Sequence, residues 1–423
     1  MGIYESLKQF REISFHMPGH KGNIPVPVVD VTELNGTDNL MCPDGIILQS
    51  QQHMAKVLGK KEAFFLTNGA SSGILASILA SVSDGDTVLV DRNCHVSVMN
   101  GLILSGAVPK FIYPKENKQF GIPSPLSAGE VTYSGEKAVI LTSPTYYGEV
   151  SDVESIRAKV GDAILIQDES HGAHFYFSPH LKHCRTDAAD LSVLSFHKTM
   201  PTLNQGAVLT LNSEKISSER VKQAINMVTT TSPSYPILSS LDYSGMYGAE
   251  LYEKDTIITK IKTLKQALLR ETNLRILEND DCYKLFVNCD GVNLSAKEIQ
   301  TILEEKHAIY IEGVFGNNLL FMFSPCNRTE EVELLQQALL SVDLLPENKK
   351  TPAVPVLKLT QQMSPREAYF SEGEVIPAKK AVGRVSKENI TQFPPCVPLV
   401  TIGEKLTEEA VSYLDRDFIE VVK

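Results

Sequence analysis

The sequence predicts an α/β protein built on a mainly parallel central sheet, and three observations carry that reading. Short apolar runs alternate with helical patterns from about residue 49 to residue 228: Ala63-Phe64-Phe65-Leu66, Thr87-Val88-Leu89-Val90, Ala138-Val139-Ile140-Leu141, Ala163-Ile164-Leu165-Ile166 and Leu191-Ser192-Val193-Leu194. Runs this short and this continuously apolar suit parallel strands covered on both faces. Three of the runs lead directly into small, acidic or basic residues, at the strand ends where open α/β sheets bind ligands. The length of 423 residues, 43% of them hydrophobic, exceeds what one core normally needs, so several cooperating domains are expected.

The elements follow in order. An N-terminal segment, 1–48, precedes a large ligand-binding domain, 49–237. Turn chemistry in Thr229-Thr230-Thr231-Ser232-Pro233-Ser234-Tyr235-Pro236 closes it, and one long helical pattern from about 238 to 270 opens a small α/β domain, 238–345. There Ser295 and Glu298 have the spacing of a capping box and start a helix ending near Glu305, while 309–312 and 319–323 read as strands. The polar, proline-flanked stretch 346–352 marks a linker into a C-terminal α+β unit, 346–423. Its Phe393-Pro394-Pro395-Cys396-Val397-Pro398 is rigid and extended and is expected to pack onto the main body.

Charge and cysteine usage narrow the function. Forty basic against 51 acidic residues, a net charge of −11, argue against a nucleic-acid partner. Seven cysteines without a CxxC pair fit reduced thiols in the cytoplasm. The start Met1-Gly2-Ile3-Tyr4-Glu5 has no leader pattern, and no stretch reaches the ~18 apolar residues of a membrane span.

Three motifs at predicted strand ends carry chemistry. In the first, Phe64-Phe65-Leu66-Thr67-Asn68-Gly69-Ala70-Ser71-Ser72-Gly73, a strand meets a small-residue turn and then a helix whose first amides can hold an anion, with Ser71 or Ser72 adding a hydroxyl. It matches neither a P-loop nor a GxGxxG fingerprint, and a plain tight turn is the alternative. In the second, Ile164-Leu165-Ile166-Gln167-Asp168-Glu169-Ser170-His171-Gly172-Ala173-His174, an acid ends a strand buried on both sides. Such a carboxylate needs a cationic partner, for which a protonated pyridine nitrogen serves. A structural turn Asp, or a metal site of His171, His174 and Asp168, are the alternatives, the latter without an obvious further ligand. In the third, Leu191-Ser192-Val193-Leu194-Ser195-Phe196-His197-Lys198, a lysine beyond a buried strand is partly desolvated and suited to a Schiff base, unless it is simply a surface lysine. A phosphate cradle, a buried acid and a strand-end lysine are together the three handles of pyridoxal phosphate.

The sequence resembles the pyridoxal-phosphate-dependent ornithine/lysine/arginine decarboxylase family over nearly its whole length. The resemblance rests on Phe15-His16-Met17-Pro18-Gly19-His20-Lys21-Gly22, Asp30-Val31-Thr32-Glu33-Leu34, the Asn68 to Gly73 turn, Asp91-Arg92-Asn93-Cys94-His95-Val96-Ser97, the Asp168 and Lys198 motifs, Thr230 to Tyr235, Ala381-Val382-Gly383-Arg384-Val385-Ser386, and Pro394-Pro395-Cys396-Val397-Pro398. It implies the aspartate aminotransferase-like fold type I and decarboxylation of arginine, lysine or ornithine. Lys198 would hold the cofactor as a Schiff base, Asp168 would pair the pyridine nitrogen, and His95 would stack on the ring. Ala70, Ser71, Ser195 and His197 would hold the phosphate. His171 is expected near the ring without an assigned step, and no metal is implied.

The chain begins almost directly with the His-Met-Pro-Gly-His-Lys segment, so the resemblance implies a short form without an N-terminal wing domain. It implies a homodimer in which 229–235 reach the partner's cofactor. Departures from the family pattern are Ser170 for an alanine, Cys396 for a glycine, Met41 for a frequent histidine, and Thr37-Asp38-Asn39 for Leu-Asp-Asp. They bear on substrate choice more than on cofactor binding. Glu33, Asp38, Glu169, Glu312, Glu372 and Glu374 are acids that could meet a basic side chain, and none stands out. Another fold type I reaction (aldolase, lyase or aminotransferase) and a non-catalytic cofactor-binding homologue are the competing readings.

Overall fold

Seven strands form the central sheet of the structure, a computed structural model that describes residues 13–15, 20–21, 30–33, 36–342, 344–347, 356–391 and 397–423. The expectations for 16–19, 22, 34, 348–352 and 393–396, and for the N-terminal leader region, lie outside the described residues. In chain order the strands are β1 (Glu62–Leu66), β2 (Thr87–Asp91), β3 (Val108–Ile112), β4 (Ala138–Thr142), β5 (Ile164–Asp168), β6 (Leu191–Leu194) and β7 (Ala207–Leu211). They lie side by side as β1-β7-β6-β5-β4-β2-β3, with β7 antiparallel to both neighbours and the other six parallel. The five predicted runs are β1, β2, β4, β5 and β6, while β3 and β7 complete the sheet unannounced.

Both faces of the sheet are covered, as the uninterrupted apolar runs require. Leu66, Val90, Ile140, Ile166 and Val193 point into one core with the helices α2 (Gly69–Ser81) and α3 (Val96–Ser105). Alternate residues point the other way: Phe65 and Leu194 into a core shared with helix α4 (Tyr235–Glu253), and Leu89, Val139, Leu141 and Leu165 into a third cluster. Helix α2 lies so close to the sheet that a Cβ on Gly73 would fall 2.7 Å from both Leu66 Cδ1 and Val193 Cγ1.

The long helix expected over 238–270 is two helices, α4 and α5 (Ile257–Glu271). Asp255 makes the break: its Oδ1 accepts the Ile257 amide at 2.8 Å, while Oδ2 takes the Tyr283 hydroxyl at 2.7 Å. A side chain that satisfies first-turn amides starts a new helix. Beyond them lies an antiparallel sheet of Arg275–Ile276, Lys284–Asn288, Asn318–Met322 and Gly313–Phe315. The predicted capping box is present, with Ser295 and Glu298 starting helix α6 (Ala296–His307). Ile309–Ile311 pairs in parallel with Ile13–Phe15.

The C-terminal residues form a unit around Leu357, Ala381, Val400, Leu406, Ile419 and Val421. One buried side chain of the main body grips it. The Arg92 guanidinium, directly after β2, donates to Pro398 O at 2.5 Å and Leu399 O at 2.9 Å and pairs Glu404 at 3.2 Å. No helix among the described residues is long and apolar enough to cross a membrane.

Candidate active site

Parallel alignment places the carboxyl ends of β1, β2, β4, β5 and β6 on one edge, and the loops leaving them enclose a cavity of about 180 Å³. All seven site residues expected from the sequence line it: Ala70, Ser71, His95, Asp168, Ser195, His197 and Lys198.

At the β1 end, Asn68 is the N-cap of α2 but makes no side-chain capping bond. The Ala70 and Ser71 amides lie in the first turn, where the helix supplies no carbonyl for them, so they remain donors for an anion. Of the two candidate hydroxyls, Ser72 is spent on the Gly69 carbonyl at 2.8 Å, and Ser71 faces the cavity. Across the cavity, Ser195 Oγ lies 3.2 Å from His197 Nδ1, which is also 3.2 Å from Gly206 O. Burial pushes His197 down to about 4, and the Lys198 charge adds to this, so its ring is neutral at pH 7 in this protein without ligand.

His95 is the N-cap of α3: its Nδ1 accepts the Ser97 amide at 3.1 Å and lies 2.8 Å from Ser97 Oγ. Those contacts fix the ring plane. Burial lowers its pKa, with Asp168 opposing and Lys198 reinforcing.

Asp168 ends β5 and is 4% exposed. Its Oδ1 accepts the Ser170 amide at 3.1 Å and the Ser170 hydroxyl at 2.5 Å, while Oδ2 has no hydrogen-bond partner among the described residues. A buried carboxylate with an unmatched oxygen on a cavity calls for a cation.

Lys198 sits in the one-turn helix Phe196–Thr199 beyond β6, half-buried, with its Nζ 2.8 Å from His171 Nε2. Burial first, then the charges of Lys198 and Lys284, hold His171 well below its ordinary pKa. A neutral His171 accepts from Lys198 at Nε2, which assigns its proton to Nδ1, a buried atom with no partner among the described residues.

Sequence reasoning passed over Tyr146. Its ring stands 4.4 Å from that of His171 and 6.0 Å from Lys198 Nζ, and its hydroxyl donates to Glu312. Tyr146 follows β4 as the other site residues follow their strands, so the same strand-end rule extends to it. Val397, which also lines the cavity, belongs to the proline-rich stretch expected to pack onto the main body, though nothing in it pointed to the site. His174 turns away to Asp281 at 3.0 Å, so the alternative metal set of His171, His174 and Asp168 does not converge. Among the described residues no three such side chains could hold a metal ion. Asp38 is spent on the amides that begin helix α1 (Ile46–Leu58), Glu169 is buried beneath Tyr176 and pushed up to about 8 by that burial, and Glu372 and Glu374 pair with Lys423 and Arg384.

The profile of the Orn/Lys/Arg decarboxylase major domain matches residues 3–285, and that of the family's C-terminal domain matches 348–420. The chain belongs to the Orn/Lys/Arg decarboxylase family. It is thereby a pyridoxal-phosphate-dependent amino acid decarboxylase. Among family relatives, the uncharacterized protein YaaO of Bacillus subtilis is 33% identical over 98% of this chain and 93% of its own length. An arginine decarboxylase of the same organism is 29% identical over the same shares. The lysine decarboxylase LdcF of Francisella novicida superposes with a TM-score of 0.78 at 18% identity, covering 91% of this chain and 73% of that one. The Escherichia coli methionine aminotransferase YbdL superposes at 0.55 with 18% identity, over 73% and 86%. The structural likenesses are of fold, and the fold is type I of the pyridoxal-phosphate enzymes.

Proposed function

We propose that this decarboxylase acts on a basic amino acid, releasing carbon dioxide and the corresponding amine, with pyridoxal phosphate held in the cavity at the carboxyl edge of the sheet. The observation that carries this reading is the buried Asp168 carboxylate, whose Oδ2 has no hydrogen-bond partner among the described residues, sharing one cavity with Lys198 and an uncapped helix N-terminus. The residues fit the cofactor's charge pattern: a cation for Asp168, an anion for α2, a carbonyl for Lys198.

When bound, pyridoxal phosphate supplies an electron sink for the bond to the departing carboxylate. The protein's part is to bind, orient and move protons. The Ala70 and Ser71 amides, with Ser195 and His197, hold the phosphate, and the positive end of the α2 dipole favours it. His95, braced by Ser97, covers the ring face and excludes water from it. Asp168 keeps the ring nitrogen cationic. Lys198 would anchor the cofactor, and His171 Nε2 orients its Nζ by accepting a hydrogen bond from it.

The relatives named arginine decarboxylase support a basic substrate and make arginine the first to test. We further propose that the chain works as a cytoplasmic homodimer. Ile46, Met246 and Tyr247 are exposed beside a groove of about 550 Å³ between α1 and α4, which suits a second copy of the chain. All described cysteines are free thiols.

Incubation of the protein and pyridoxal phosphate with equimolar arginine, lysine and ornithine, followed by mass spectrometry of products, tests the reading. A single amine is expected, and none from Lys198→Ala. If wild-type protein carrying the cofactor on Lys198 forms no amine, the basic-substrate assignment fails.

A further inference from the structure

Ser170, in the cavity wall, commits its hydroxyl to the Asp168 carboxylate. The bond from the Ser170 amide to Asp168 Oδ1 is an Asx-turn contact available to any residue at this position, whereas the hydroxyl bond at 2.5 Å exists only because the residue is serine. Hydroxyl-to-carboxylate bonds of this length belong to the strong, charge-assisted class. Ser170 is buried and lines the same cavity as Asp168. With both Ser170 donors on Oδ1, rotation of the carboxylate is arrested and Oδ2 is left as the available acceptor.

We propose that Ser170 is a positioning residue, whose hydroxyl fixes the orientation of the Asp168 carboxylate and presents Oδ2 to the cationic ring nitrogen of the cofactor. This rests on the cofactor reading given above.

The surroundings explain why such a device is useful. Asp91 of β2 and Glu169 of the same turn are buried carboxylates whose charges interact with that of Asp168. Cys94 and His95 face it from the loop between β2 and α3, and His171 and Lys198 share the cavity with it. Among so many polar and charged groups a freely turning carboxylate has several partners open to it, and the Ser170 hydroxyl fixes which oxygen meets the cation.

The test is equilibrium dialysis of pyridoxal phosphate against apoenzyme from pH 5 to 9, for wild type, Ser170→Ala and Ser170→Thr. Loss of one hydrogen bond to a charged group weakens binding by about tenfold or more. Ser170→Ala is therefore expected to bind the cofactor about tenfold more weakly near pH 7. Ser170→Thr, which keeps the hydroxyl, should recover the affinity. Ser170→Cys, close in volume but a weak donor, should behave like the alanine variant and serves if that variant fails to fold. Affinities of the alanine or cysteine variant within twofold of wild type would overturn the proposal while leaving the cofactor reading intact. Wild-type apoenzyme that takes up no cofactor would overturn both.

Discussion

Lys284 offers a quantitative check on the electrostatics around the cavity. It is 1% exposed, its Nζ donates to Tyr146 O at 3.0 Å, and burial pushes its pKa from 10.5 down to about 8, with Lys198 adding to the drop and Asp281 and Glu312 opposing it. The unfolded chain therefore binds the Lys284 proton more tightly than the folded one, and stability gains from this site as pH rises from about 8 to 10.5. Below pH 8 the folded protein carries the full disadvantage, roughly 3 kcal/mol at 1.4 kcal/mol per pH unit. Lys284→Met keeps the aliphatic stem and removes the charge, at the loss of one hydrogen bond of about 1 kcal/mol. The variant should thus be more stable than wild type at pH 7 by about 2 kcal/mol, and less stable by about 1 kcal/mol above pH 10.5, where wild-type Lys284 is neutral in both states. Denaturant unfolding of the apoenzymes at pH 7, 9 and 10.5 measures the difference. A variant destabilised to the same extent at all three values would refute the reasoning.

Asp168→Asn should still bind pyridoxal phosphate but lose kcat on the order of 10²-fold, since a neutral amide cannot keep the ring nitrogen cationic; steady-state kinetics with saturating cofactor reads this. Arg92→Met strands the buried Glu404 carboxylate and two carbonyls, so the C-terminal unit should loosen by about 3–5 kcal/mol, seen as faster hydrogen exchange in 397–406 with β5 unchanged. Gly73→Ala drives a methyl against Leu66 and Val193 and should cost about 1–3 kcal/mol, measured as a lowered melting temperature. Light scattering should return twice the 46.6 kDa chain mass.

Legibility in the sequence followed the physics of each element. β1, β2, β4, β5 and β6 were readable because strands buried on both faces cannot interrupt their apolar runs. β3 was not, because with a single neighbour at the sheet edge it tolerates Pro109 and Lys110. β7 was missed because nothing in Ala207–Leu211 says that the run turns back and inserts between β1 and β6; direction belongs to pairing partners far away in sequence. The 238–270 helix was overextended because Asp255 reads as one more polar residue until its side chain is seen taking the Ile257 amide. Within the site, the strand-end rule brought Asp168 and Lys198 together, yet gave no hint that His95 also caps α3 or that Ser170 holds Asp168.

The grip of Arg92 on Pro398, Leu399 and Glu404 also sets a schedule for biogenesis. Three residues after Arg92 comes His95, and Val397, beside the gripped carbonyls, forms part of the cavity wall. The lysine and the acid are therefore synthesised well before the residues that complete the wall around them, and the enclosed site awaits the docking of 397–404 onto Arg92.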